Sequence, residues 1–157
     1  MTVQIRRATS EDLSAFLELH IQVHALHLQQ RPDQFKETEQ AAIEARFQEL
    51  LASETAKVWL ADVGGKVIGY AVEIMIQRAE NTWCPARRWC DIEQICVEAS
   101  HRREGIATAL MQAIVDSAHA AGIRDIELNS WAFNQDAHRA FEAFGFTPKA
   151  IRFELKP

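Results

Sequence analysis

The stretch SHRREGIATAL, residues 100–110, decides the fold of this chain. Two adjacent arginines, Arg102 and Arg103, precede Gly105, after which apolar residues recur at helical spacing. This order predicts a loop that leads into the first turn of a helix, whose unpaired backbone N–H groups favour an anion such as phosphate. The arginines would add charge-assisted contacts, and Gly105 would let the backbone approach the ligand closely. The alternative is a basic turn on a solvated surface, since neither GxxxxGK[ST] nor GxGxxG is present.

The composition limits the classes of protein to which the chain can belong. Its 157 residues, 48% hydrophobic and 25% charged, suit one domain over residues 1–157. The start MTVQIRRATSEDL has no apolar signal core, and no stretch is long enough to span a bilayer, so we expect a cytoplasmic protein without a membrane partner. The net charge of −5 argues against a nucleic-acid partner and suits a cationic small substrate. Cys84, Cys90 and Cys96 lack zinc-ligand spacing and predict reduced thiols and no metal.

The periodicity of the apolar residues predicts ten elements along the chain. In order, they are a strand (3–8), a helix capped by Thr9 or Ser10 that runs to about residue 30, a helix (37–52), two strands (57–77) joined by a Gly64-Gly65 hairpin turn, a strand (89–97), a helix (105–121) ended by Gly122, a strand (123–131), a helix (134–144) and a last strand or pair (146–155). The order β-α-α-β-β-β-α-β-α-β predicts an α/β (α+β) fold. One mixed central β-sheet with helices on both faces is its natural packing.

Two motifs resemble the GNAT superfamily of N-acetyltransferases. RREGIA, residues 102–107, follows a strand that ends in valine and resembles the pyrophosphate loop R/Q-x-x-G-x-G/A of that family. IEQICV, residues 92–97, resembles the family's fourth strand, and NQDAHRAFEAFGF, residues 134–146, resembles its second hallmark N-x-x-A-x-x-[FY]-[YF]-x-x-x-G-F. The order of the predicted elements also matches a single GNAT-like domain across the whole chain.

The resemblance implies acetyl-CoA as the acetyl donor and co-substrate. Strand-four backbone groups would pair with the pantetheine arm where strands four and five splay apart, and the loop after this strand would cradle the pyrophosphate. Asn134 would contact the pantetheine, although asparagine also favours the N-cap of its own helix. The cofactor-binding residues implied are Ile95, Cys96, Val97, Arg102, Arg103, Glu104, Gly105, Ile106, Ala107, Thr108 and Asn134.

The same resemblance points to a general base on the fourth strand. An amine must be neutral to attack a thioester, and Glu93 is the candidate that takes its proton, with Asp91 in reserve. The alternative for Glu93 is a salt-bridged or merely exposed strand acid. Where many relatives have a tyrosine that protonates the departing thiolate, this chain has Phe141, so no general acid is assigned. Cys96 is interpreted as a small apolar strand residue rather than a nucleophile.

The first helix carries three histidines, of which two are candidates for the acceptor side. His20, His24 and His27 stand at positions i, i+4 and i+7, but no carboxylate completes a metal site. The resemblance implies that the first two helices wall the acceptor pocket. His24 and His27 therefore either face the acceptor or pack under their helix.

Aromatic and basic residues are further candidates for this pocket. Trp83, Trp89 and Trp131 supply either apolar walls or core. Arg87 and Arg88 precede the fourth strand and would favour an acceptor that carries a carboxylate.

These inferences lead to one function and one alternative. We expect an acyltransferase that moves an acetyl group from acetyl-CoA directly to a primary amine of a small molecule or peptide. The alternative is a non-catalytic sensor or regulatory module that binds CoA or acyl-CoA, which Phe141 suggests. A homodimer is common in the superfamily, but the sequence does not fix the oligomeric state.

Overall fold

A computed structural model of the chain describes residues 2–156, which form one five-stranded mixed sheet between two helical layers. The strands are β1 (Gln4–Arg7), β2 (Ala56–Val63), β3 (Lys66–Arg78), β4 (Arg87–Val97) and β5 (Ile126–Leu128). The helices are α1 (Leu13–Gln30), α2 (Gln40–Ala52), α3 (Ile106–Ala120) and α4 (Gln135–Phe144). The predicted fold class is confirmed.

The sheet has the order β1-β2-β3-β4-β5. The pairs β1/β2, β2/β3 and β3/β4 are antiparallel, whereas β5 runs parallel to β4, to which it is connected by α3. Gly64 and Gly65 join β2 to β3 with φ angles of 59° and 92°. Glycine adopts these left-handed angles without a steric penalty, and they match the twist of the flanking strands, so the predicted hairpin is confirmed.

Two apolar cores lie on opposite faces of the sheet. α1 and α2 cover one face, and the side chains buried there include Phe16, Phe47, Leu50, Leu60, Tyr70 and Cys96. α3 and α4 cover the other face, and the side chains buried there include Ile68, Cys90, Ile92, Leu110, Met111, Ile114 and Phe141. Each helix therefore buries one stripe against the sheet, as its apolar spacing predicts.

The helix boundaries follow local capping signals. Thr9 and Asp12 form a capping box, in which the backbone N–H of Thr9 donates to Asp12 Oδ2 over 2.8 Å. At the end of α3, Gly122 has a φ of 77°, and the N–H of Ile123 donates to the carbonyl of Ala118 over 2.9 Å. This is a Schellman ending, which satisfies the last carbonyls of the helix.

Glu73 is a buried carboxylate between the sheet and α3, and each of its two oxygens accepts a hydrogen bond. Trp59 Nε1 donates to one carboxylate oxygen over 2.8 Å, and Ser117 Oγ donates to the other over 2.9 Å. Lys57 Nζ in turn donates to Ser117 Oγ over 2.7 Å. The cluster joins β2, β3 and α3 with partly buried hydrogen bonds around a buried carboxylate.

The structure contradicts the predicted last strand. Residues 146–155 form no strand, and β5 is confined to Ile126–Leu128 although residues 123–131 were expected to be extended. β5 is short because its ladder with β4 ends at Leu128. The alternating pattern of 146–155 describes a strand without specifying a neighbour for it, and within residues 2–156 it has none.

Candidate active site

β4 and β5 separate partway along β4. Their parallel ladder ends at the pair Ile92–Leu128, while β4 continues to Val97. Ile95, Cys96 and Val97 lie in this unpaired half, where no described strand covers the β5 side of their backbone. This is the splay that the family resemblance implied, and it leaves backbone N–H and C=O groups for a ligand.

Glu93 is the extra residue of a β-bulge. Val72 of β3 lies opposite Gln94, but the next residue, Glu73, lies opposite Ile92, so Glu93 has no partner in the register. A bulge redirects the side chains that follow it. Before the bulge, Ile92 packs on the α3 side; after it, Cys96 at the same parity packs on the α1 side.

A cavity of about 200 Å³ lies beside the bulge, between α1, α2 and the strands β3 and β4. At about 30 Å³ for each water molecule, it holds the volume of about seven waters, which suits one end of a small acceptor. Apolar side chains form its floor, and three groups that can carry charge or exchange protons line it with an amide. The lining residues are Phe16, His20, Arg46, Leu50, Val72, Glu93 and Gln94.

Glu93 forms an ion pair with Arg46 of α2 at the mouth of this cavity. Arg46 Nη2 lies 2.8 Å from Oε1 and 2.9 Å from Oε2 of Glu93. Both side chains remain partly exposed to solvent. The sequence analysis predicted the position of Glu93, but Arg46 carries no sequence signal beyond lying on the polar face of α2.

His20 faces the same cavity and is the functional candidate that the sequence analysis passed over. Burial, and then the neighbouring His24, lower the pKa of His20. Its Nδ1 lies 3.3 Å from the hydroxyl of Tyr70, whose own pKa is raised by burial. His20 is therefore neutral near pH 7. In the tautomer whose Nδ1 carries the ring hydrogen, Nδ1 donates a hydrogen bond to the Tyr70 hydroxyl. The Nε2 atom of that tautomer can then accept a proton.

His24 and His27 do not line the cavity. His24 Nε2 bonds to the carbonyl oxygen of Lys36, and His27 Nδ1 bonds to the carbonyl oxygen of Val23, each over 2.7 Å. His24 thus ties α1 to the segment that leads into α2. Each ring binds a backbone carbonyl through one nitrogen, and the interpretation that they face the acceptor stays a prediction.

The other residues proposed for the acceptor pocket also have different environments. Trp83 is 90% exposed, so it is neither a pocket wall nor core. Arg87 stacks over Trp89 at 4.4 Å and forms an ion pair with Glu127. Trp131 packs among aromatic rings beside α1. The arginine that reaches the cavity comes from α2 instead.

The start of α3 presents unpaired backbone N–H groups. Gly105 is the N-cap with a φ of 80°, and Arg103 before it also has a positive φ, of 65°. The first helical bond runs from Ala109 to the carbonyl of Gly105 over 3.0 Å. In the described part of the chain, the amides from Arg103 to Thr108 have no acceptor. They form a concave set of donors at the positive end of the helix dipole.

Space and charge around these amides suit an anion. A Cβ built on Gly105 would meet no heavy atom within 4 Å. Arg102 and Arg103 are exposed, and neither pairs with an acidic side chain of residues 2–156. Glu104 is held by His101 Nδ1 at 3.0 Å. Two guanidinium groups and a row of amides can therefore bind two phosphate groups without first breaking an ion pair.

Asn134 begins α4 but its side chain makes no capping hydrogen bond. Asn134 therefore occupies the N-cap position as the alternative expected, but its side chain does not cap the helix and is left for a ligand. Phe141, which stands where many relatives have a tyrosine, is buried in the α3-side core and packs edge-on against Phe146. Nearby, His138 Nε2 lies 3.1 Å from Ser130 Oγ at the end of β5.

The cysteines on β4 are poor nucleophiles. Burial raises the pKa of Cys96 to about 11 and that of Cys90 to about 12. Cys96 donates its thiol hydrogen to the carbonyl of Leu19 over 3.3 Å. Both thiols therefore stay protonated at neutral pH, in agreement with the interpretation of Cys96 as an apolar strand residue.

Residues 2–156 show neither a metal-ligand cluster nor a membrane-spanning helix. No group of three His, Cys, Asp or Glu side chains within 2–156 has the arrangement of metal ligands. None of the helices in that range combines the length and apolar composition needed to cross a bilayer.

Comparison with known proteins identifies one family and several solved structures with a similar fold. Residues 21–146 match the model of the Acetyltransferase (GNAT) family. An uncharacterized N-acetyltransferase of Methanocaldococcus jannaschii is 25% identical over 153 residues, covering 96% of this chain and 63% of that protein. The chain thus spans less than two thirds of the length of that relative.

Two solved structures illustrate the similarity of fold. A tetramutant of the BH1408 protein from Bacillus halodurans superimposes with a TM-score of 0.93 at 29% identity, covering 98% of this chain and 99% of the other. An aminoglycoside N-acetyltransferase in complex with CoA superimposes with a TM-score of 0.79 at 21% identity, covering 99% of this chain and 95% of the other.

Proposed function

Because the chain belongs to the Acetyltransferase (GNAT) family, we propose that it transfers the acetyl group of acetyl-CoA to a primary amine of a small molecule or peptide. One observation carries the proposal. The unpaired half of β4 leads directly into the free amides at the start of α3, and a cavity lined by proton-accepting groups opens at the bulge of the same strand. A binding surface for the donor and a chamber for the acceptor thus meet on one strand.

The donor-binding part of the proposal uses groups that are free in the structure. Backbone groups of Ile95, Cys96 and Val97 would pair with the pantetheine, and the Asn134 amide would reach it from the start of α4. The loop Arg102–Thr108, meaning Arg102, Arg103, Glu104, Gly105, Ile106, Ala107 and Thr108, would hold the pyrophosphate with its amides and two guanidinium groups. Acetyl-CoA would supply an activated acetyl thioester. The similar fold of an aminoglycoside N-acetyltransferase that binds CoA supports this assignment.

The acceptor part of the proposal assigns the proton of the amine. A primary ammonium group must lose a proton before its nitrogen can attack, and Glu93 is the proposed general base. Arg46 holds the carboxylate at the cavity mouth through hydrogen bonds to both oxygens. It would have to give up one of these hydrogen bonds so that the freed oxygen can take the proton. His20, neutral and in the same cavity, is the second candidate base.

The cysteines bear on the cellular location of the protein. Cys84, Cys90 and Cys96 are free thiols. Proteins keep unpaired cysteines most readily in the reducing cytoplasm, which we propose as the location. Amines of small molecules and amines of peptides both belong to the proposed class of acceptor, because the cavity has room for only one end of the acceptor.

A CoA-binding sensor without turnover is the competing function. It is favoured by one observation, the burial of Phe141 where a thiolate acid would be expected. A thiol of pKa about 8.5 is nevertheless a tolerable leaving group without a dedicated acid.

The test of the proposed function is release of free thiol from acetyl-CoA in the presence of a panel of primary amines, including aminoglycosides, polyamines and short peptides. Glu93→Gln serves as the matched control, since it keeps the shape of the side chain and removes the base. We expect at least one amine to give thiol release that the variant loses. Tight CoA binding without release from any amine would favour the sensor.

A further inference from the structure

The mouth of the cavity beside the bulge carries one charge of each sign. Arg46 Nη2 lies 2.8 Å from Oε1 and 2.9 Å from Oε2 of Glu93, so a single nitrogen of the guanidinium serves both carboxylate oxygens. The two side chains are 44% and 40% exposed. An ion pair that faces solvent contributes little to stability, because water screens it and two long side chains must be held in one geometry. A charged ligand can therefore open this pair with little loss.

Arg46 has hydrogen-bond donors to spare for a second carboxylate. Its guanidinium carries five N–H donors in a planar fork. Nε donates to no acceptor among residues 2–156, and Nη1 has Glu49 Oε2 near it at 3.6 Å, which is beyond hydrogen-bond distance. The guanidinium thus keeps free N–H groups for a carboxylate from outside, an anion whose geometry its fork matches.

The acidic side of the cavity mouth favours an ammonium group. Asp91 lies two residues before Glu93 on β4, and its pKa is raised by burial and then by the charges of Glu93 and Glu127. The carboxylates repel one another, so a cation beside Glu93 relieves that repulsion. His20 is neutral near pH 7, because burial lowers its pKa, and adds no positive charge to oppose the cation.

The floor of the cavity favours a hydrocarbon group next to these charges. Phe16, Leu50 and Val72 form it. A hydrocarbon side chain gains by entering such surroundings, whereas a hydroxyl or a second amine loses its water there. An amine and a carboxylate on one carbon comprise about five heavy atoms, which need at most roughly 150 Å³ if each is counted as a water of about 30 Å³. The cavity of about 200 Å³ holds this head and the first carbons of a side chain.

We propose that the acceptor is a small α-amino acid with an apolar side chain, an inference that rests on the proposed acetyl transfer. Its ammonium binds Glu93 and its carboxylate binds Arg46, so that ligand and protein form a set of four alternating charges. An amine without a carboxylate would draw Glu93 away from Arg46 and leave the guanidinium without a counter-charge. A polyamine or an aminoglycoside would bring further cations next to that guanidinium.

The reaction of such an acceptor balances with acetyl-CoA as its sole co-reactant. The ammonium gives one proton to Glu93, and the freed lone pair of the nitrogen forms a bond to the acetyl carbon. The carbon–sulfur bond breaks with its electron pair on sulfur, and the second proton of the nitrogen ends on that thiolate. The products are an N-acetyl amino acid and CoA with a free thiol, and Glu93 returns its proton to solvent.

The test compares each amino acid with its own amide, in which the carboxylate alone is replaced. The probes are L-leucine, L-methionine and L-phenylalanine, their three amides, and a set of polyamines and aminoglycosides, each with acetyl-CoA and detection of free thiol. We expect kcat/KM of at least one amino acid to exceed that of its amide about ten- to a hundredfold, because one charge-assisted hydrogen bond contributes about that factor. The difference should lie in KM, since Arg46 would hold the carboxylate both before and during transfer.

Arg46→Gln is the variant that tests the contact itself. It removes the charge and should bring the ratio between amino acid and amide below about threefold. The ratio is the readout because it cancels whatever the substitution does to Glu93, which both acceptors share. Arg124→Gln is the matched control, since Arg124 is an exposed arginine in the turn between α3 and β5, and it should keep the wild-type ratio.

Calorimetry gives a second readout that needs no turnover. Titrated into the protein saturated with CoA, the preferred amino acid should bind about tenfold or more tightly than its amide, and Arg46→Gln should remove that difference. Amides, polyamines or aminoglycosides acetylated as well as every amino acid would overturn this inference and leave the proposed acetyl transfer standing, as would a preference that survives Arg46→Gln. Thiol release from no amine would instead count against the proposed function. Calorimetry would then decide the inference alone, and equal binding of amino acid and amide would overturn it.

Discussion

Substitution of Gly105 by glutamate separates the anion site from the stability of the fold. Gly105 has a φ of 80°, and a Cβ there would meet open space. The folding cost is therefore limited to placing a non-glycine residue in the left-handed region, about 1–2 kcal/mol. For a chain of this size, each kcal/mol lowers Tm by about 2–4 °C, so we expect a fall of roughly 2–8 °C.

The effect on CoA binding is expected to be much larger. The new carboxylate would lie at the free amides and repel the diphosphate, which would lose at least two charge-assisted hydrogen bonds. At about 1.5–3 kcal/mol for each bond, the loss is roughly 3–6 kcal/mol. This corresponds to a Kd for CoA raised about 10² to 10⁴-fold. Isothermal titration calorimetry with CoA, together with a thermal melt of the free protein, measures both effects.

Gly122→Glu is the matched control for this experiment. Gly122 lies at the opposite end of α3 with a φ of 77°, and a Cβ there also meets nothing within 4 Å. It therefore carries the same backbone cost without approaching the proposed anion site. Equal affinities of the Gly105→Glu and Gly122→Glu variants for CoA would refute the assignment of the loop.

Substitutions at three further positions test the base, the cavity and the core. Glu93→Gln should lower kcat about 10² to 10⁴-fold while calorimetry shows an unchanged Kd for CoA; a wild-type rate across the pH range would remove Glu93 as the base. Because burial lowers the pKa of His20 below 6.5, the unfolded state binds its proton more readily and stability falls as pH drops through that value. Urea unfolding of His20→Gln should therefore show a smaller loss of stability between neutral and acid pH than the wild type, and identical losses would contradict this cause. Glu73→Ala leaves Trp59 Nε1 and Ser117 Oγ without their buried acceptor and should cost about 3 kcal/mol in urea unfolding, with a smaller loss for Glu73→Gln; a loss below that of a surface substitution would show that the cluster adds nothing.

Local signals in the sequence were sufficient wherever one residue and its near neighbours decide the geometry. The N-cap at Thr9 or Ser10, the Gly64-Gly65 turn and the Gly122 helix ending were all predicted because each depends on a few dihedral angles and short-range hydrogen bonds. The same holds for the loop at Gly105, where a strand followed by a short loop, a glycine and a helix predicted unpaired backbone amides. The predicted last strand failed for the opposite reason, because an alternating pattern requires a neighbour that the pattern itself does not supply.

The sequence by itself determined the order of the elements up to α4, the sheet with helices on both faces, and the placement of Glu93 on β4 and of Gly105 at the start of α3. Only the tertiary structure decided which side chains meet at the cavity. The bulge at Glu93 shifts the register between β3 and β4, and no local pattern encodes a cross-strand register, so parity counting along β4 places Cys96 on the wrong face. The arrival of Arg46 from α2 and the choice of His20 over His24 follow from how two helices pack on that bulged strand. Periodicity fixes which residues share a face, whereas long-range packing fixes what that face meets.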